Sequence, residues 1–322
     1  MPGATNHHFV SQVYLRGFAE GEGPQAQIFV VDRVEQRSFT SGVRNVGARR
    51  HFNRIETDEF DPNALEEAYG EFEGQAATSL RRIEENQSFD NEEDRLVVLN
   101  LMALFAVRNP RLRDNIGRFI GDTYQIMAEM MSSTPERWEA IQRQMREQGL
   151  EVPGGESITY EEMRDLVRSD ELEFGPHQNH QIALELNNHD VVLNTLVERN
   201  WMLLIAGEDA GDFVTSDHPV VLMGAPGTFS GLQGVGYGMT QTAVLFPVSR
   251  KLFLNGTFEG QDGTHRLGRE EVALLNSSVI FGAERQVYAH DERFSYSRSD
   301  RLALGDELVA DPLFIRSESE PS

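Results

Sequence analysis

The spacing of apolar and polar residues predicts a helix and a hairpin at the start of the chain. In residues 1–60, apolar side chains at helical spacing are followed by strand-like runs at 27–32 and 37–41. We expect Asn6 or His7 to cap the first helix, because short polar side chains accept hydrogen bonds from the first helical N–H groups. The section therefore contributes one helix and one β-hairpin.

The middle of the chain, residues 62–205, follows a helical period. The most apolar run, 96–107, predicts a central buried helix, which ends at 108–110 because Pro110 disfavours helix in the residue before it. Thr159 stands three residues before a glutamate, which is the spacing of a capping box. A last long helix is predicted over 178–204.

Residues 206–300 are rich in short apolar runs separated by glycine and polar residues, which predicts strands. A glycine-rich loop covers 224–238, and the acidic tail, 301–322, is expected to be flexible. Because strands flank a helical middle, we predict an α+β fold. In this fold the helical middle section, the N-terminal β-hairpin and the C-terminal mixed or antiparallel β elements pack as one domain over 1–300.

Composition and charge exclude some kinds of functional site. The 322 residues include 52 Asp plus Glu against 29 Lys plus Arg, for a net charge of −23, and no cysteine. Thiol nucleophiles, thiolate metal sites and disulfides are therefore excluded. The acidic excess disfavours an extended nucleic-acid groove, but a local phosphate site stays open because all basic residues except Lys251 are arginine. No membrane-spanning run or secretory signal is found, so we expect a cytoplasmic protein that does not bind membranes.

Several motifs occur in the order found in the domain of unknown function 4238 family, which the chain resembles over residues 6–290. The first motif matches at six positions, namely His8, Val10, Gln12, Tyr14, Leu15 and Phe18. The later matches are 108–110, Trp201, 215–220, 246–249 and Asn276. Ser11 stands where the family usually has proline, and His218 where it commonly has asparagine. The resemblance supports the predicted architecture and implies no activity.

Two of these motifs place polar side chains within short apolar segments, and they supply the candidate catalytic residues His8, Asp217 and His218. Imidazole titrates near neutral pH, and a carboxylate orients or charges it, which suits general acid–base catalysis. This hypothesis requires His8 and Asp217 to face one pocket. In the alternative, His8 caps the first helix and Asp217 binds the backbone of a turn ahead of Pro219.

Further residues of these motifs are candidates for binding a substrate, namely Gln12, Tyr14, Arg108, Thr215 and Ser216. The guanidinium of Arg108 suits a phosphate group. A hydroxyl nucleophile at Thr215 or Ser216 lacks the usual Gly-x-Ser-x-Gly turn. Two histidines and a carboxylate would also suit Zn, Mn or Fe, so the sequence leaves any metal or other cofactor unknown.

Two functions are compatible with these residues. We favour a hydrolase or nuclease-like phosphodiesterase that uses His8 and Asp217. The family resemblance, and not these residues, suggests a role in a bacterial defence or toxin-type system. The alternative is a non-catalytic binding or interaction protein, in which the same motifs are structural caps and turns. The sequence leaves open whether the chain is an enzyme, what it binds and which oligomer it forms.

Overall fold

The computed structural model has an α+β fold and divides into two units. The first unit contains Met1–Asn109 and Leu184–Ser322, and the second contains Pro110–Ala183. The structure describes residues 6–56, 61–150, 158–169, 174–225, 234–298, 301–312 and 314–315. The glycine-rich loop predicted at 224–238 lies partly outside these residues. Packing of the whole chain as one domain stays a prediction.

The first unit begins with a short strand and not with a helix cap. Strand β1 (Asn6–His8) pairs antiparallel with β4 (Ala48–Arg50), and α1 (Gln12–Leu15) follows. The side chain of Ser11 caps α1 by accepting the N–H of Val13 at 3.2 Å. The predicted caps were wrong because Asn6 and His7 belong to β1, whose backbone is extended.

The predicted hairpin forms half of a four-stranded sheet. Strands β2 (Gln27–Asp32) and β3 (Arg37–Gly42) pair antiparallel across a polar turn, as the sequence predicts. The sheet continues with β11 (Gln286–Ala289) and β6 (Thr215–Ser216), in the order β3-β2-β11-β6. This sheet brings residues from both ends of the unit together.

A mixed five-stranded sheet has the order β10-β5-β9-β8-β7. Its strands are β5 (Asn200–Ala206), β7 (Val221–Gly224), β8 (Thr242–Pro247), β9 (Leu252–Thr257) and β10 (Gly263–Leu267). Strand β5 pairs parallel with β10 and antiparallel with β9. The helix predicted over 178–204 was therefore too long, because β5 lies inside the sheet and its continuous apolar run resembles that of a buried helix.

The helices of the first unit are α2 (Ala64–Asn86), α3 (Glu92–Val107), α8 (Arg269–Gly282) and most of α7 (Gln178–Val197). Helix α3 is the buried central helix that the sequence predicts, and Asn91 caps it. From Gly268 the sequence predicts a helix through Leu275 and a separate element over 278–281. In the structure α8 continues through that segment to Gly282.

The second unit is helical. Its helices are α4 (Pro110–Met131), α5 (Pro135–Glu147) and α6 (Tyr160–Arg168), with the first residues of α7. The predicted capping box is confirmed, since Thr159 Oγ1 accepts the N–H of Glu162 at 3.2 Å and the Glu162 carboxylate accepts the N–H of Thr159 at 2.9 Å. None of the described helices has the length and apolar character needed to cross a bilayer.

The start of the predicted tail is ordered, which differs from the expected flexible segment. Strand β13 (Arg301–Leu304) pairs with β12 (Ser295–Arg298), and Phe314 is fully buried. The apolar side chains of this stretch pack into the core. The prediction missed them because it was based on the acidic composition of the whole tail. The last residues, 316–322, lie outside the described part of the chain.

Lys251, the single lysine, lies in the turn between β8 and β9. Its Nζ donates to the carbonyl of Gly211 at 3.0 Å and lies 2.7 Å from Asp212 Oδ1. The side chain of Lys251 is thereby fixed to the loop that contains Gly211 and Asp212.

Candidate functional site

The side chain of Arg108, directly after α3, is buried in the first unit. It is 1% exposed, and none of its three guanidinium nitrogens has a hydrogen-bond partner in the described part of the chain. Its Cζ lies 4.0 Å from the centroid of the Tyr69 ring, a cation–π contact that fixes the group but leaves its N–H donors unmet. A buried guanidinium normally donates to a carboxylate, so these donors mark a candidate site for an anionic group.

Helix α2 places carboxylates near Arg108. Glu66 and Glu73 lie three residues before and four residues after Tyr69, on the same face of α2. Burial lowers the pKa of Arg108, while Glu66, Glu73 and Glu185 oppose that shift through their charges. Arginine stays protonated at neutral pH even so.

Glu73 is the carboxyl group that the site perturbs. Burial raises its pKa above the ordinary 4.5, and the charge of Arg108 and the hydroxyl of Ser11 act in the opposite direction. A carboxyl whose pKa moves toward neutrality is suited to donate a proton in catalysis. Sequence reasoning missed Glu66, Tyr69 and Glu73 as a group, although the helical spacing placed both acids on the apolar face of α2.

His8, at the end of β1, faces the same cluster. Its Nε2 lies 3.2 Å from the carbonyl oxygen of Arg44, and since a carbonyl only accepts, Nε2 carries the proton. The unprotonated Nδ1 lies 3.5 Å from the amide nitrogen of Gln12, a long contact. Burial lowers the pKa of His8 below 6.5, and the charge of Arg108 adds to this shift. At neutral pH His8 therefore has a lone pair available on Nδ1.

His7 and Asn53 hold β1 against α2. The Nδ1 atom of buried His7 accepts the backbone N–H of Asn53 at 2.9 Å, and the Asn53 side chain donates to Glu66 Oε2 at 2.6 Å. The neighbouring residue of β1, His8, is thus fixed relative to the carboxylates of the helix. Within the described residues, no group of three His, Asp or Glu side chains converges as a metal site.

The structure also brings Tyr14 and Thr215 together, in the core. The hydroxyl of Tyr14 lies 2.7 Å from Thr215 Oγ1 and donates to the carbonyl of Pro247 at 2.7 Å. The Tyr14 ring stacks on Phe246 at 5.2 Å, and burial raises the pKa of its hydroxyl well above 10. The two family motifs therefore meet through a buried contact, which gives these two residues a packing role.

Asp217 is engaged by the turn between α8 and β11. Its carboxylate accepts three backbone N–H groups, from Glu284 at 2.9 Å, Arg285 at 2.7 Å and Gln286 at 2.9 Å. Burial raises the pKa of Asp217 to about 6, and the three N–H groups oppose the shift. The neighbouring Ser216 Oγ accepts the N–H of His218 at 3.1 Å.

The predicted site residues therefore separate into two groups. His8, Gln12 and Arg108 share one cluster, whereas Asp217 lies in a hydrogen-bonded turn. No hydrogen bond or ion pair between His8 and Asp217 is present in the residues that the structure describes. Catalytic roles for Asp217 and His218 stay predictions that the geometry does not support.

Comparison with known proteins adds a family match. Residues 6–293 match a family model described as a protein of unknown function, DUF4238. The matched range contains both residue groups of the candidate site. No curated protein and no solved structure matches the chain.

Proposed function

Since the chain belongs to the DUF4238 family of proteins of unknown function, we propose its activity from its own site. The activity is hydrolysis of a phosphodiester, in the manner of a nuclease, at the cluster of His8, Gln12, Glu73 and Arg108. The observation that carries the proposal is the buried guanidinium of Arg108, whose three nitrogens have no hydrogen-bond partner among the described residues. A planar fork of donors binds two oxygens of a phosphate group.

The charges around Arg108 favour a diester over a monoester. Glu66, Glu73 and Glu185 lie within electrostatic reach of Arg108. With Glu73 protonated, an incoming anion is attracted by one cation and repelled by the carboxylates of Glu66 and Glu185. A diester carries a single negative charge, whereas a monoester at neutral pH approaches two. The singly charged group therefore meets less repulsion.

His8 and Glu73 supply the proton transfers. Neutral His8 takes a proton from water at Nδ1 as the water oxygen attacks phosphorus, while its Nε2–H stays bonded to the carbonyl of Arg44. The Gln12 amide, 3.5 Å from Nδ1, gives up its contact with that atom to the water. The bond from phosphorus to the leaving oxygen breaks, and protonated Glu73 gives its proton to that oxygen. The developing charge on the non-bridging oxygens is stabilised by Arg108.

The test compares bis(4-nitrophenyl) phosphate with 4-nitrophenyl phosphate, and then uses a single-stranded oligonucleotide. We expect turnover of the diester, and at least a roughly 100-fold loss of kcat in Arg108→Lys, which keeps the charge but loses the planar fork. Arg81→Lys is the matched control, since Arg81 is exposed and its ion pair within the described residues is with Glu85 on the same helix. Equal rates for the wild type and both variants, or no turnover of any diester, would refute the proposal.

A binding protein without catalysis is the second candidate, and the contacts of the motif at 215–220 favour it. The polar atoms of Tyr14, Thr215 and Asp217 form hydrogen bonds within the protein. In that case calorimetry detects binding of dimethyl phosphate, lost in Arg108→Lys, with no diester hydrolysis. A bacterial defence or toxin-type role is tested by whether expression of the wild type slows growth of a bacterial host and Arg108→Lys does not.

A further inference from the structure

Helix α4 of the second unit has an apolar stripe on its exposed side. At 100° per residue the stripe occupies one face of the helix. Its residues, with their exposed fractions, are Phe119 (73%), Ile126 (57%), Met127 (51%) and Met130 (57%). The opposite side contains Gly121 and Ala128, and Ala128 is buried. An exposed stripe of large apolar side chains on a helix with an otherwise polar surface is typical of an interface.

Charged residues follow one edge of the stripe. Arg118, Asp122 and Glu129 fall within about 40° of one another around the helix axis, beside Phe119 and Ile126. All three are exposed. Arg118 lies in the first half of the stripe and Glu129 in the second half.

We propose that a second copy of this chain covers the stripe, with the two α4 helices antiparallel around a two-fold axis. Two antiparallel helices bring the same edge of each together. Arg118 and Glu129 are equally distant along the helix from a point between Thr123 and Tyr124. With the axis at that point, Arg118 of one copy lies opposite Glu129 of the other, twice in the dimer.

The same alignment matches the apolar side chains. Phe119 of one copy is level with Met127 and Met130 of the other, and methionine sulfur packs favourably on aromatic rings. A parallel pairing in register would instead place the two charged edges on opposite sides of the pair, so that Arg118 and Glu129 face no charge of the other copy's charged edge. The antiparallel arrangement forms two Arg118–Glu129 pairs, and these outnumber the one like-charge approach, of Asp122 to its own copy near the axis.

Sedimentation velocity over a range of protein concentrations tests the dimer. We expect a monomer–dimer equilibrium for the wild type, and Phe119→Asp should weaken it by about 100-fold because a charge is then buried against Met127 and Met130. The matched control is Leu274→Asp on α8, at a side chain that is also exposed (61%) and outside the stripe. Circular dichroism verifies that each variant is folded.

A charge exchange identifies the alignment. Arg118→Glu and Glu129→Arg should each raise the dimer dissociation constant by roughly tenfold, because each places like charges opposite one another at two points. The double variant restores opposite charges and should return to within about threefold of the wild type. A wild type that stays monomeric, a dimer insensitive to Phe119→Asp, or a double variant as weak as the single ones would overturn the proposal.

Discussion

The carboxylate of Asp217 accepts three backbone N–H groups, whereas the guanidinium of Arg108 donates no hydrogen bond among the described residues. Both groups are buried, and a buried charge needs compensation. For Asp217 the three N–H groups of the turn supply this compensation against burial, which still raises its pKa to about 6, and they favour a structural role. For Arg108 the compensation comes from the Tyr69 ring and from the charges of nearby carboxylates, and its donors stay without a hydrogen bond among the described residues.

Replacement of Asp217 separates the structural role from the catalytic one. Asp217→Ala leaves three amides without their acceptor, and we expect the free energy of unfolding to fall by about 3 kcal/mol, at about 1 kcal/mol for each. Activity per folded molecule should not change. Urea denaturation and diester hydrolysis below the transition measure the two effects, with exposed Asp209→Ala as control. Lost activity at unchanged stability would restore Asp217 to the catalytic site.

The pH dependence of diester hydrolysis reports the two proton-transfer groups. His8 acts as a base only when neutral, so the rate falls on the acidic side as pH drops through its lowered pKa, below 6.5. Glu73 acts as an acid only when protonated, so the rate falls on the alkaline side above its pKa, which burial raises from 4.5. We expect a bell-shaped kcat/KM profile with its optimum on the acidic side of neutrality.

Two variants assign the limbs of this profile. Glu73→Gln should remove the alkaline limb and lower the maximum, and His8→Asn should remove the acidic limb. If both limbs persist in the two variants, other groups transfer the protons, and the roles given to His8 and Glu73 fail.

At the scale of the element, strand β5 shows where apolar periodicity stops being informative. The hairpin β2–β3 was predicted within a residue because polar turn residues bound its short strands, although β2 is also a continuous apolar run. Helix α3 was predicted from its apolar run. Strand β5 lies inside a sheet, so its run of consecutive apolar residues lacks the alternation that marks a half-exposed strand. The helix α7 and this strand therefore merged into one predicted helix.

A close approach between β5 and β9 gives a stability test of that sheet. Gly256 pairs with Trp201, and a Cβ at Gly256 would lie 2.6 Å from ring atoms of Trp201. We expect Gly256→Ala to lower the free energy of unfolding by about 2 kcal/mol, because the indole has to move within a packed core.

The matched variant for this test is Gly74→Ala, in the middle of α2, where an added Cβ meets no atom within 4 Å. It should raise the free energy of unfolding by about 0.5–1 kcal/mol, since alanine is the better helix former. Urea denaturation measures both variants. Equal effects at the two positions would contradict the packing described for β5 and β9.

On the scale of the whole molecule, the candidate site joins residues that are distant in the sequence. The polar motifs around His8, Arg108 and Asp217 could be identified from residue type and apolar flanks alone. Which of these motifs meet in space could not be predicted, because that depends on which strand lies beside β1 and which turn faces Asp217. The net charge of −23 describes the surface, and says little about a buried arginine.

The single lysine and the missing cysteine make the chain convenient for labelling. Lys251 is the one side chain that amine-reactive dyes label, and it lies beside Asp212 in the first unit. The α-amino group of the chain is blocked first, at a pH below the pKa of lysine. A cysteine introduced at Met145, in α5 of the second unit, would be the one thiol. Donor and acceptor fluorophores can thus be attached separately to the two units, and energy transfer between them would then follow the distance from Lys251 to α5 in solution, with and without a bound phosphodiester.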